Sequence, residues 1–410
     1  MCEMQKSPNS TLTDLVAFGE LKPIGGRACW TGKDLVNNPC WGVQLTEDEL
    51  AELDSALKHA YASEIEWEED VPLNVTKDIF PLGPNMKKRL AELSEELEHG
   101  AGAIMVANMP VDRYDLSQLA VMYLGISCHL GHVVRQSSSG LRSKSRGYGM
   151  PLGKIRAEMA GKTPKDGKQA NNYFRLHTDR CDVISLLSIR TASKGGMARV
   201  ASAIAIHDAM LQRAPHLVPL LYQPIERIWE SGVIALPIWC KHPKTGQFTT
   251  QISPSYIENA QYVNGTRQLS PDEIEAIDLI EEIGLELGHE FLQLPGQMTF
   301  LNNHMVYHGR TAWKHAEEGD TIKERDNAQN GRLLLRAWIS PFNSRELPDT
   351  PEFRVMWGDV APGVPRGGLD PAISAGIVEK PKELVEAYSS GKADYYGLYR
   401  RKFDGEDVNL

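Results

Sequence analysis

The sequence predicts a mainly β protein with helical decoration, built on a sandwich or jelly-roll barrel. Three observations favour this fold class: short β-branched and aromatic segments carry the candidate metal ligands, strong helix signals surround them, and no repeat of solenoid or propeller period is visible. Metal ligands on neighbouring strands of a barrel converge on its interior. We therefore expect one catalytic domain over residues 1–410 rather than two separate domains.

The N-terminal part of the chain is predicted to be a helical extension. Thr46-Glu-Asp-Glu49 is a capping box that satisfies free backbone N–H groups at a helix start, and it begins a helix that runs to about Ala62. Residues 84–98, ahead of Gly100, form a second predicted helix. The extension is predicted to span residues 1–100.

The jelly-roll core is predicted to span residues 101–341. Apolar runs of strand length, turn-forming residues and a second capping box at Ser270 define its elements. They are a strand at 102–107, a buried helix at 116–130, a strand at 183–189, a helix at 203–213, a hairpin at 228–251, a helix at 270–287, and strands at 297–306 and 332–340.

Three stretches lack such periodicity. Residues 137–169 are rich in Gly, Ser and Lys, so we predict a loop, and this composition fits both a lid over the site and a surface linker. Residues 314–330 form a charged insertion. Residues 342–410 are predicted to be irregular cover, because Pro and Gly are frequent, followed by a docked helix over 384–399.

Charge and composition exclude several classes of partner. The formal net charge is -10 and the pI is near 5.7, whereas nucleic acids and anionic membranes need a basic surface. No run approaches ~18 uninterrupted apolar residues, and no secretion signal is visible at the N-terminus. The six cysteines have no C-x-x-C spacing, which argues against a zinc knuckle. We expect a cytoplasmic protein that acts on a small molecule, with its oligomeric state left open.

The most informative motif is His177-Thr178-Asp179, joined much later in the chain by His308. Side chains of a β-strand alternate between its faces, so His177 and Asp179 share one face and can chelate one ion. Two histidines and one carboxylate are the ligand set that holds non-haem Fe(II) and leaves positions open for reactants. The pattern indicates an oxygen-activating enzyme. His304 has the same strand parity as His308, so spacing alone does not decide between them.

Two arginines share one predicted strand, in Arg332-Leu-Leu-Leu-Arg336. Both point to one face, and their α-carbons would lie ~13 Å apart at ~3.3 Å per residue, so we expect them to serve different anions or different ends of one site. A buried arginine needs a partner, which either a dicarboxylic cosubstrate or an internal acid supplies. Arg175 shares parity with His177 and is a candidate for substrate binding, although a surface ion pair is the more common role.

Four motifs resemble the TauD/TfdA superfamily, the taurine dioxygenase-like and clavaminate synthase-like Fe(II)/2-oxoglutarate oxygenases. They are H-T-D at 177–179, Gly195-Gly196, N-N-x4-H-G-R-T at 302–311 and R-x3-R at 332–336. The matching stretch runs from about residue 173 to residue 341. In the residues of its motifs and in its length, the chain is most similar to a branch found in fungi and bacteria and linked to specialised metabolism.

The resemblance implies a double-stranded β-helix that holds iron through His177, Asp179 and His308. Asn303 lies five residues before His308, as in the family motif, and this match favours His308 over His304. The implied cofactors are Fe(II), 2-oxoglutarate as cosubstrate, and O2.

The resemblance also implies a site for the cosubstrate. Arg332 would pair with the distal carboxylate of 2-oxoglutarate, while Arg336 would face the substrate or complete the anion site; the opposite assignment of the two arginines is the alternative. Family members commonly place a Thr or Ser shortly after the Gly-Gly pair to bind the same carboxylate, but Met197-Ala198 stands there in this chain. Either Ser202 substitutes for that hydroxyl or the contact is absent.

The implied reaction converts 2-oxoglutarate to succinate and CO2 and oxidises an unactivated C–H bond of a small carboxylate or sulfonate, preferably an amino acid or a derivative. Hydroxylation is the usual outcome, and desaturation or oxidative ring closure are alternatives. Two other functions compete with this one. A jelly-roll metalloenzyme can use the same ligands for non-oxidative chemistry, and an inactive small-molecule-binding jelly roll would keep His177 and His308 as ordinary buried histidines.

Overall fold

The structure of the protein is a computed structural model, which describes residues 21–68, 70–136, 149–155, 173–192, 194–229, 232–314 and 331–368, together with positions 383, 386, 387 and 390. The strands in these ranges are β1 (Trp41–Val43), β2 (Trp67–Glu68), β3 (Val71–Pro72), β4 (Ala103–Val106), β5 (Gly131–Val134), β6 (Leu152–Ile155), β7 (Phe174–His177), β8 (Val183–Arg190), β9 (Lys194–Gly195), β10 (Ala198–Ser202), β11 (Ile225–Trp229), β12 (Gly232–Leu236), β13 (Trp239–Lys241), β14 (Phe248–Thr250), β15 (His289–Phe291), β16 (Met298–Asn302), β17 (Val306–Arg310), β18 (Trp313–Lys314) and β19 (Leu333–Pro341). The helices are α1 (Gly32–Val36), α2 (Glu47–Ala62), α3 (Pro84–His99), α4 (Leu116–Leu130), α5 (Ala203–Arg213), α6 (Val218–Leu221), α7 (Pro254–Ala260), α8 (Pro271–Leu287) and α9 (Pro351–Trp357).

Two sheets form the jelly roll and confirm the predicted fold class. The larger sheet has seven strands in the order β1-β4-β16-β8-β19-β5, and β6 also pairs with β19. The smaller sheet has the order β15-β10-β17-β7. Strands that are distant in sequence are therefore neighbours in space, and this brings the two predicted histidine ligands together.

Helices enclose both sheets through two apolar cores. Buried residues of α2, α3 and α4 pack with those of β4, β8, β16 and β19 in one core. Buried residues of α5 and α8 pack with those of β10 and β17 in the other. The predicted capping boxes at Thr46 and Ser270 are confirmed, since each hydroxyl accepts a hydrogen bond from the N–H three residues later and each glutamate returns the contact.

A smaller apolar cluster, called the cap cluster below, joins the hairpin β11–β12 to the segment after β19. Its buried members are Trp229, Leu236, Cys240, Leu347, Phe353, Met356, Trp357 and Val360. The structure here differs from the predicted irregular cover, because residues 342–368 contain α9 and contribute to this cluster. Pro and Gly are frequent in this stretch, but its apolar side chains are buried in the cap cluster.

Several predicted boundaries fall partly outside the described residues. Within the predicted loop 137–169, residues 152–155 form β6 on the edge of β19, whereas positions 137–148 and 156–169 are not described. Insertion 315–330 and most of the predicted C-terminal helix also lie outside. The extension boundary at residue 100 stays a prediction; β1, from that extension, pairs in parallel with β4 of the core. Among the described helices, none is long and apolar enough to cross a membrane.

Candidate active site

His177 and His308 face each other across two neighbouring strands. His177 ends β7, His308 lies within β17, and the two residues are direct partners in the antiparallel register. Their ring centroids are 4.2 Å apart. His177 Nδ1 lies 2.8 Å from the carbonyl oxygen of Arg175 and donates to it, so Nε2 carries the lone pair. Strand pairing therefore brings the two imidazoles to one place.

Asp179 completes the cluster from the turn that follows β7. Its Oδ1 lies 3.7 Å from His177 Nε2, and the ligand atoms of His177, Asp179 and His308 all lie within 4.8 Å of one another. The other oxygen, Oδ2, accepts hydrogen bonds from Trp338 Nε1 at 2.8 Å and Arg336 Nη1 at 3.1 Å. These donors orient the carboxylate with Oδ1 on the side of the imidazoles.

The imidazole of His308 is held neutral. Burial first, and then the neighbouring His177 and Arg336, lower its pKa from 6.5 to about 3. Its Nδ1 is buried and has no hydrogen-bond partner among the described residues. A metal ion needs a neutral imidazole nitrogen, so this histidine fits a ligand role at neutral pH. Two imidazoles and one carboxylate within this distance are a donor set for Fe(II).

His304 is excluded from the cluster by two hydrogen bonds of its own. It lies in the turn between β16 and β17 rather than on a strand, so the parity that equated it with His308 does not apply. Its Nε2 lies 2.7 Å from Asp182 Oδ1, and its Nδ1 lies 2.6 Å from Thr249 Oγ1. Both ring nitrogens are therefore engaged away from the three clustered ligands.

Arg332 is buried and has a hydrogen-bond donor available for a bound group. Burial, and then the neighbouring Arg310, lower its pKa from 12.5 to about 9. Its Nη1 is buried without a hydrogen-bond partner among the described residues, and its guanidinium lies 5.5 Å from the ring centroid of Trp313. A Cβ built on Gly196 would come within 3.4 Å of Arg332 Nε. A buried cation with an open donor requires an anionic partner, and a carboxylate satisfies this need.

Arg336 contacts the carboxylate of Asp179 instead. Besides the bond to Asp179, its Nε donates to Gln136 Oε1 at 2.6 Å. Its Nη2 is buried without a hydrogen-bond partner among the described residues. The two arginines thus serve different positions, as their spacing predicts, and one donor of Arg336 is left for a bound molecule.

The hydroxyl of Ser202, a predicted candidate for anion binding, makes two other hydrogen bonds in the structure. Ser202 caps α5, where its hydroxyl accepts from Ala205 N–H and donates to the carbonyl oxygen of Ala28 at 2.5 Å. Both hydrogen bonds are structural, so the hydroxyl has no donor left for a ligand. A different hydroxyl lies beside Met197, which follows Gly195-Gly196: Thr311 Oγ1 accepts from Met197 N–H at 3.0 Å.

Arg175, the candidate for substrate binding, pairs with internal acids in the structure. Its Nη1 lies 2.7 Å from Glu258 Oε1 and its Nη2 lies 3.3 Å from Asp278 Oδ1. The third nearby carboxylate, Glu281, is buried within 4.0 Å of the guanidinium Nε. This is a buried ion cluster rather than a surface pair, and it commits the arginine to internal acids supplied by α7 and α8.

Sequence reasoning missed two residues that contact the site. Trp338 shares the strand parity of Arg332 and Arg336, and that parity was a usable signal for its position near the ligands. Gln136 gave no signal, because it meets Arg336 across a separation of 200 positions. Its amide donates back to the carbonyl oxygen of Arg336 at 2.9 Å, so the two side chains fix each other.

Sequence comparisons with known proteins identify the family of this chain. The family described as "Taurine catabolism dioxygenase TauD, TfdA family" matches residues 72–338. FR-33289 synthase from Streptomyces rubellomurinus is 29% identical over 337 residues, which are 80% of this chain and 93% of that protein. Taurine hydroxylase-like protein SAT17 from Stachybotrys chartarum is 24% identical and covers 73% of this chain and 77% of that protein.

Solved structures share the fold at low identity. Asparagine oxygenase superposes with a TM-score of 0.54 at 15% identity, over 77% of this chain and 96% of that protein. The non-haem iron oxygenase OrfP in complex with Fe and alpha-ketoglutaric acid has a TM-score of 0.53 at 14% identity, over 79% and 98%. The match to the family model covers well over half of the sequence. The chain belongs to the taurine catabolism dioxygenase TauD/TfdA family and is an Fe(II)- and 2-oxoglutarate-dependent dioxygenase.

Proposed function

We propose that this enzyme oxidises an unactivated C–H bond of a small carboxylate or sulfonate, with an amino acid or a derivative as the preferred substrate class. The observation that carries the proposal is the open Nη2 of Arg336, a buried cationic donor beside the metal-ligand carboxylate Asp179. An anionic group of the substrate would satisfy this donor and bring the substrate next to the metal. Hydroxylation is the proposed outcome, with desaturation or ring closure as variants of it.

His177, Asp179 and His308 are the proposed iron ligands. When bound, Fe(II) with 2-oxoglutarate activates O2, yields succinate and CO2, and supplies the oxidising equivalents for the substrate. The protein's own part is orientation. The Arg175 carbonyl oxygen fixes the ring of His177, and Trp338 with Arg336 fixes Asp179. Such supporting hydrogen bonds hold ligands in place before the metal arrives.

Arg332 is the proposed partner of the distal carboxylate of 2-oxoglutarate. Its lowered pKa and open Nη1 support an anion at this position. Thr311 is proposed as the hydroxyl that replaces the missing Thr or Ser: it accepts from Met197 N–H, so its own proton remains available for a carboxylate. Gly196, the residue before Met197, supplies the space, since any Cβ there would approach both Arg332 and Trp313.

The substrate class also receives support from the solved relatives. Asparagine oxygenase is described in complex with 2S,3S-3-hydroxyasparagine and succinate, and an OrfP variant in complex with (3S)-hydroxy-L-Arg. Both molecules are amino acids hydroxylated on carbon. They make free amino acids the first compounds to test, with taurine included because of the family.

The test begins with anaerobic reconstitution of the purified protein with Fe(II) and 2-oxoglutarate. We expect a weak metal-to-ligand charge-transfer band in the visible spectrum, absent from Asp179→Ala. Arg332→Ala should bind Fe(II) normally but raise the Kd for 2-oxoglutarate at least about 30-fold, the scale for truncating one partner of a buried charge pair. Arg213→Ala, which removes an exposed arginine paired with Glu286, is the matched control and should match wild type.

Substrate assignment then uses succinate release in the presence of O2. Asparagine, arginine, N-acylated amino acids and taurine are compared, and Arg336→Gln is measured beside wild type. We expect the substrate to raise succinate release in wild type, and Arg336→Gln to raise its KM. Stimulation by neutral amines alone, with no response to acids, would contradict the anionic substrate class.

A further inference from the structure

The turn that follows β7 carries one proposed metal ligand and is held by a single asparagine. Asn303 Oδ1 accepts the backbone N–H of Asp179 at 3.0 Å, and Asn303 Nδ2 donates to the Cys181 carbonyl oxygen at 2.9 Å. The backbone N–H of Asn303 donates to the Asp182 carbonyl oxygen at 2.8 Å. The turn 179–182 is therefore bonded directly to the turn that precedes His308.

The same turn is held from the other side by the C-terminal segment, residues 342–368. The backbone N–H of Gly368 donates to the Arg180 carbonyl oxygen at 2.8 Å, and Arg180 Nε donates to the Met356 carbonyl oxygen at 2.9 Å. Gly367 has φ +72°, and a Cβ there would come within 2.7 Å of the Arg180 carbonyl oxygen. Only glycine allows such a close approach of this segment to the turn.

Arg366 makes the strongest of these contacts. Its Nε lies 3.0 Å from both carboxylate oxygens of Asp182, and its Nη2 lies 2.7 Å from Oδ1. The same Oδ1 accepts from His304 Nε2. The remaining guanidinium donors go to the carbonyl oxygens of Arg345, Val360 and Ala361 at 2.6–3.0 Å. Arg366 and Asp182 are both buried, so neither charge has water as an alternative partner.

We infer that Arg366 is a positioning residue for the iron site, acting through Asp182 and His304. Asp182 follows Asp179 by three residues, and His304 precedes His308 by four, so their pair connects the turn that carries Asp179 to the turn that precedes His308. Arg366 closes this connection from a segment that lies beyond the family match at 72–338. The inference rests on the proposed iron ligands. It makes the C-terminal segment part of the metal site rather than an accessory to it.

The test measures metal affinity separately from folding. Co(II), a spectroscopic substitute for Fe(II), is titrated anaerobically into wild type, Asp179→Ala, Arg366→Lys and Arg354→Ala, under conditions in which circular dichroism shows each metal-free protein folded. Lysine keeps the charge but loses the two-point contact with Asp182. We expect Arg366→Lys to bind Co(II) at least about 10-fold more weakly, with an altered visible spectrum, as outer supports of metal ligands do.

Arg354→Ala is the matched control, because this arginine of the same segment makes an exposed pair with Asp349. It should keep wild-type affinity. If Arg366→Lys fails to fold, Ser340→Ala carries the test: the Ser340 hydroxyl donates to the Arg366 carbonyl oxygen at 2.9 Å and accepts its N–H at 3.1 Å. We expect several-fold weaker Co(II) binding, and wild-type affinity would overturn the inference.

The outcomes separate this inference from the proposed function. Wild-type Co(II) affinity in a folded Arg366→Lys, together with loss of binding in Asp179→Ala, would reject Arg366 and keep the iron ligands. Equal binding by wild type and Asp179→Ala would reject the ligand set itself and the inference with it. A parallel loss in Arg366→Lys and Arg354→Ala would show a general effect of the segment and would also count against Arg366.

Discussion

The indole Nε1 of Trp338 donates a hydrogen bond to Asp179 Oδ2 at 2.8 Å. An indole nitrogen is a donor only, so this contact fixes which carboxylate oxygen is turned away from the imidazoles. A bond to a carboxylate anion is charge-assisted and about twice as strong as a neutral one. A tryptophan that is not itself a candidate metal ligand thus determines how the carboxylate would face a metal.

Trp338→Phe is expected to weaken metal binding without unfolding the protein. Phenylalanine keeps much of the buried ring but removes the donor, while the contact of Asp179 Oδ2 with Arg336 stays. We expect a Kd for Co(II) about 10-fold higher, measured by anaerobic titration. Trp30→Phe is the control, since it removes a buried indole bond to the Ala101 carbonyl oxygen in another part of the core. An equal effect in both variants would mean that the loss is general.

Thr311→Val and Ser202→Ala should have opposite effects. Valine has the shape of threonine without its hydroxyl, so Thr311→Val should raise the Kd for 2-oxoglutarate about 5–10-fold, a loss on the scale of one hydrogen bond, and leave Co(II) affinity unchanged. Ser202→Ala removes a helix cap and should lower the free energy of unfolding by about 1 kcal/mol with no change in that Kd. Calorimetric titration and urea denaturation measure the two quantities. The reverse result would restore Ser202 as the ligand hydroxyl.

Gly196→Ala should abolish tight binding of 2-oxoglutarate. Its φ is +73°, and the added Cβ would lie 3.2 Å from Trp313 Cβ and 3.4 Å from Arg332 Nε. The methyl group would therefore displace the side chains of Trp313 and Arg332. Gly246→Ala is a matched control, because Gly246 has φ +68° but nothing within 4 Å of its Cβ position. Both variants should lose stability by about 1–2 kcal/mol from backbone strain. Only Gly196→Ala should lose cosubstrate binding in calorimetric titration.

Acid should destabilise the metal-free protein partly through His304. Burial lowers its pKa in the folded protein to about 4, whereas the unfolded chain binds a proton near 6.5. Between these values the unfolded state holds more protons, so the free energy of unfolding falls as the pH falls from about 6.5 to about 4. The contribution is at most about 3 kcal/mol.

His304→Gln tests this pH dependence. Glutamine can still donate to Asp182 but does not titrate, so urea denaturation of the variant should show a shallower loss of stability over this range. The separate contribution of Asp182 should persist. Although burial opposes it, Arg366 and His304 hold the pKa of this carboxyl at about 2, so its stabilisation is lost only as the pH falls from about 3.8 towards 2. Identical slopes above pH 4 would exclude His304.

The sequence predicted two of the three residues that the structure brings together, because their chemistry is local. His177 and Asp179 are separated by one residue, and the strand parity of Arg332 and Arg336 indicated a shared face. Family resemblance was needed for His308, because spacing alone left His304 as an equal candidate. In the structure the chain leaves β16 after Asn302 and enters β17, a strand of the other sheet, at Val306. Asn302 Oδ1 accepts the backbone N–H of His304 at 2.9 Å within this turn, and Asp182 and Thr249 hold the His304 ring from outside it.

Contacts between distant parts of the chain were beyond such reasoning. Arg366 contacts Asp182, which lies 184 positions earlier in the chain. The Pro and Gly residues around Arg366 predict irregular structure, and this is correct for much of the backbone. They do not predict that the Arg366 side chain is buried. Arg175 has the parity of a ligand, yet its partners come from helices far along the chain. Charge alone does not distinguish an arginine committed to Glu258 from one with an open donor for a ligand.

The pairing of His177 with His308 also has a consequence for folding. The two paired residues are far apart in the sequence, so their contact must offset the loop-closure entropy of the chain between them. A partly folded chain would lack the opposed imidazoles and bind metal poorly. Iron would then bind the native state in preference to partly folded states and stabilise it by mass action. The amount of metal bound would therefore measure the fraction of chains in which the two strands have paired.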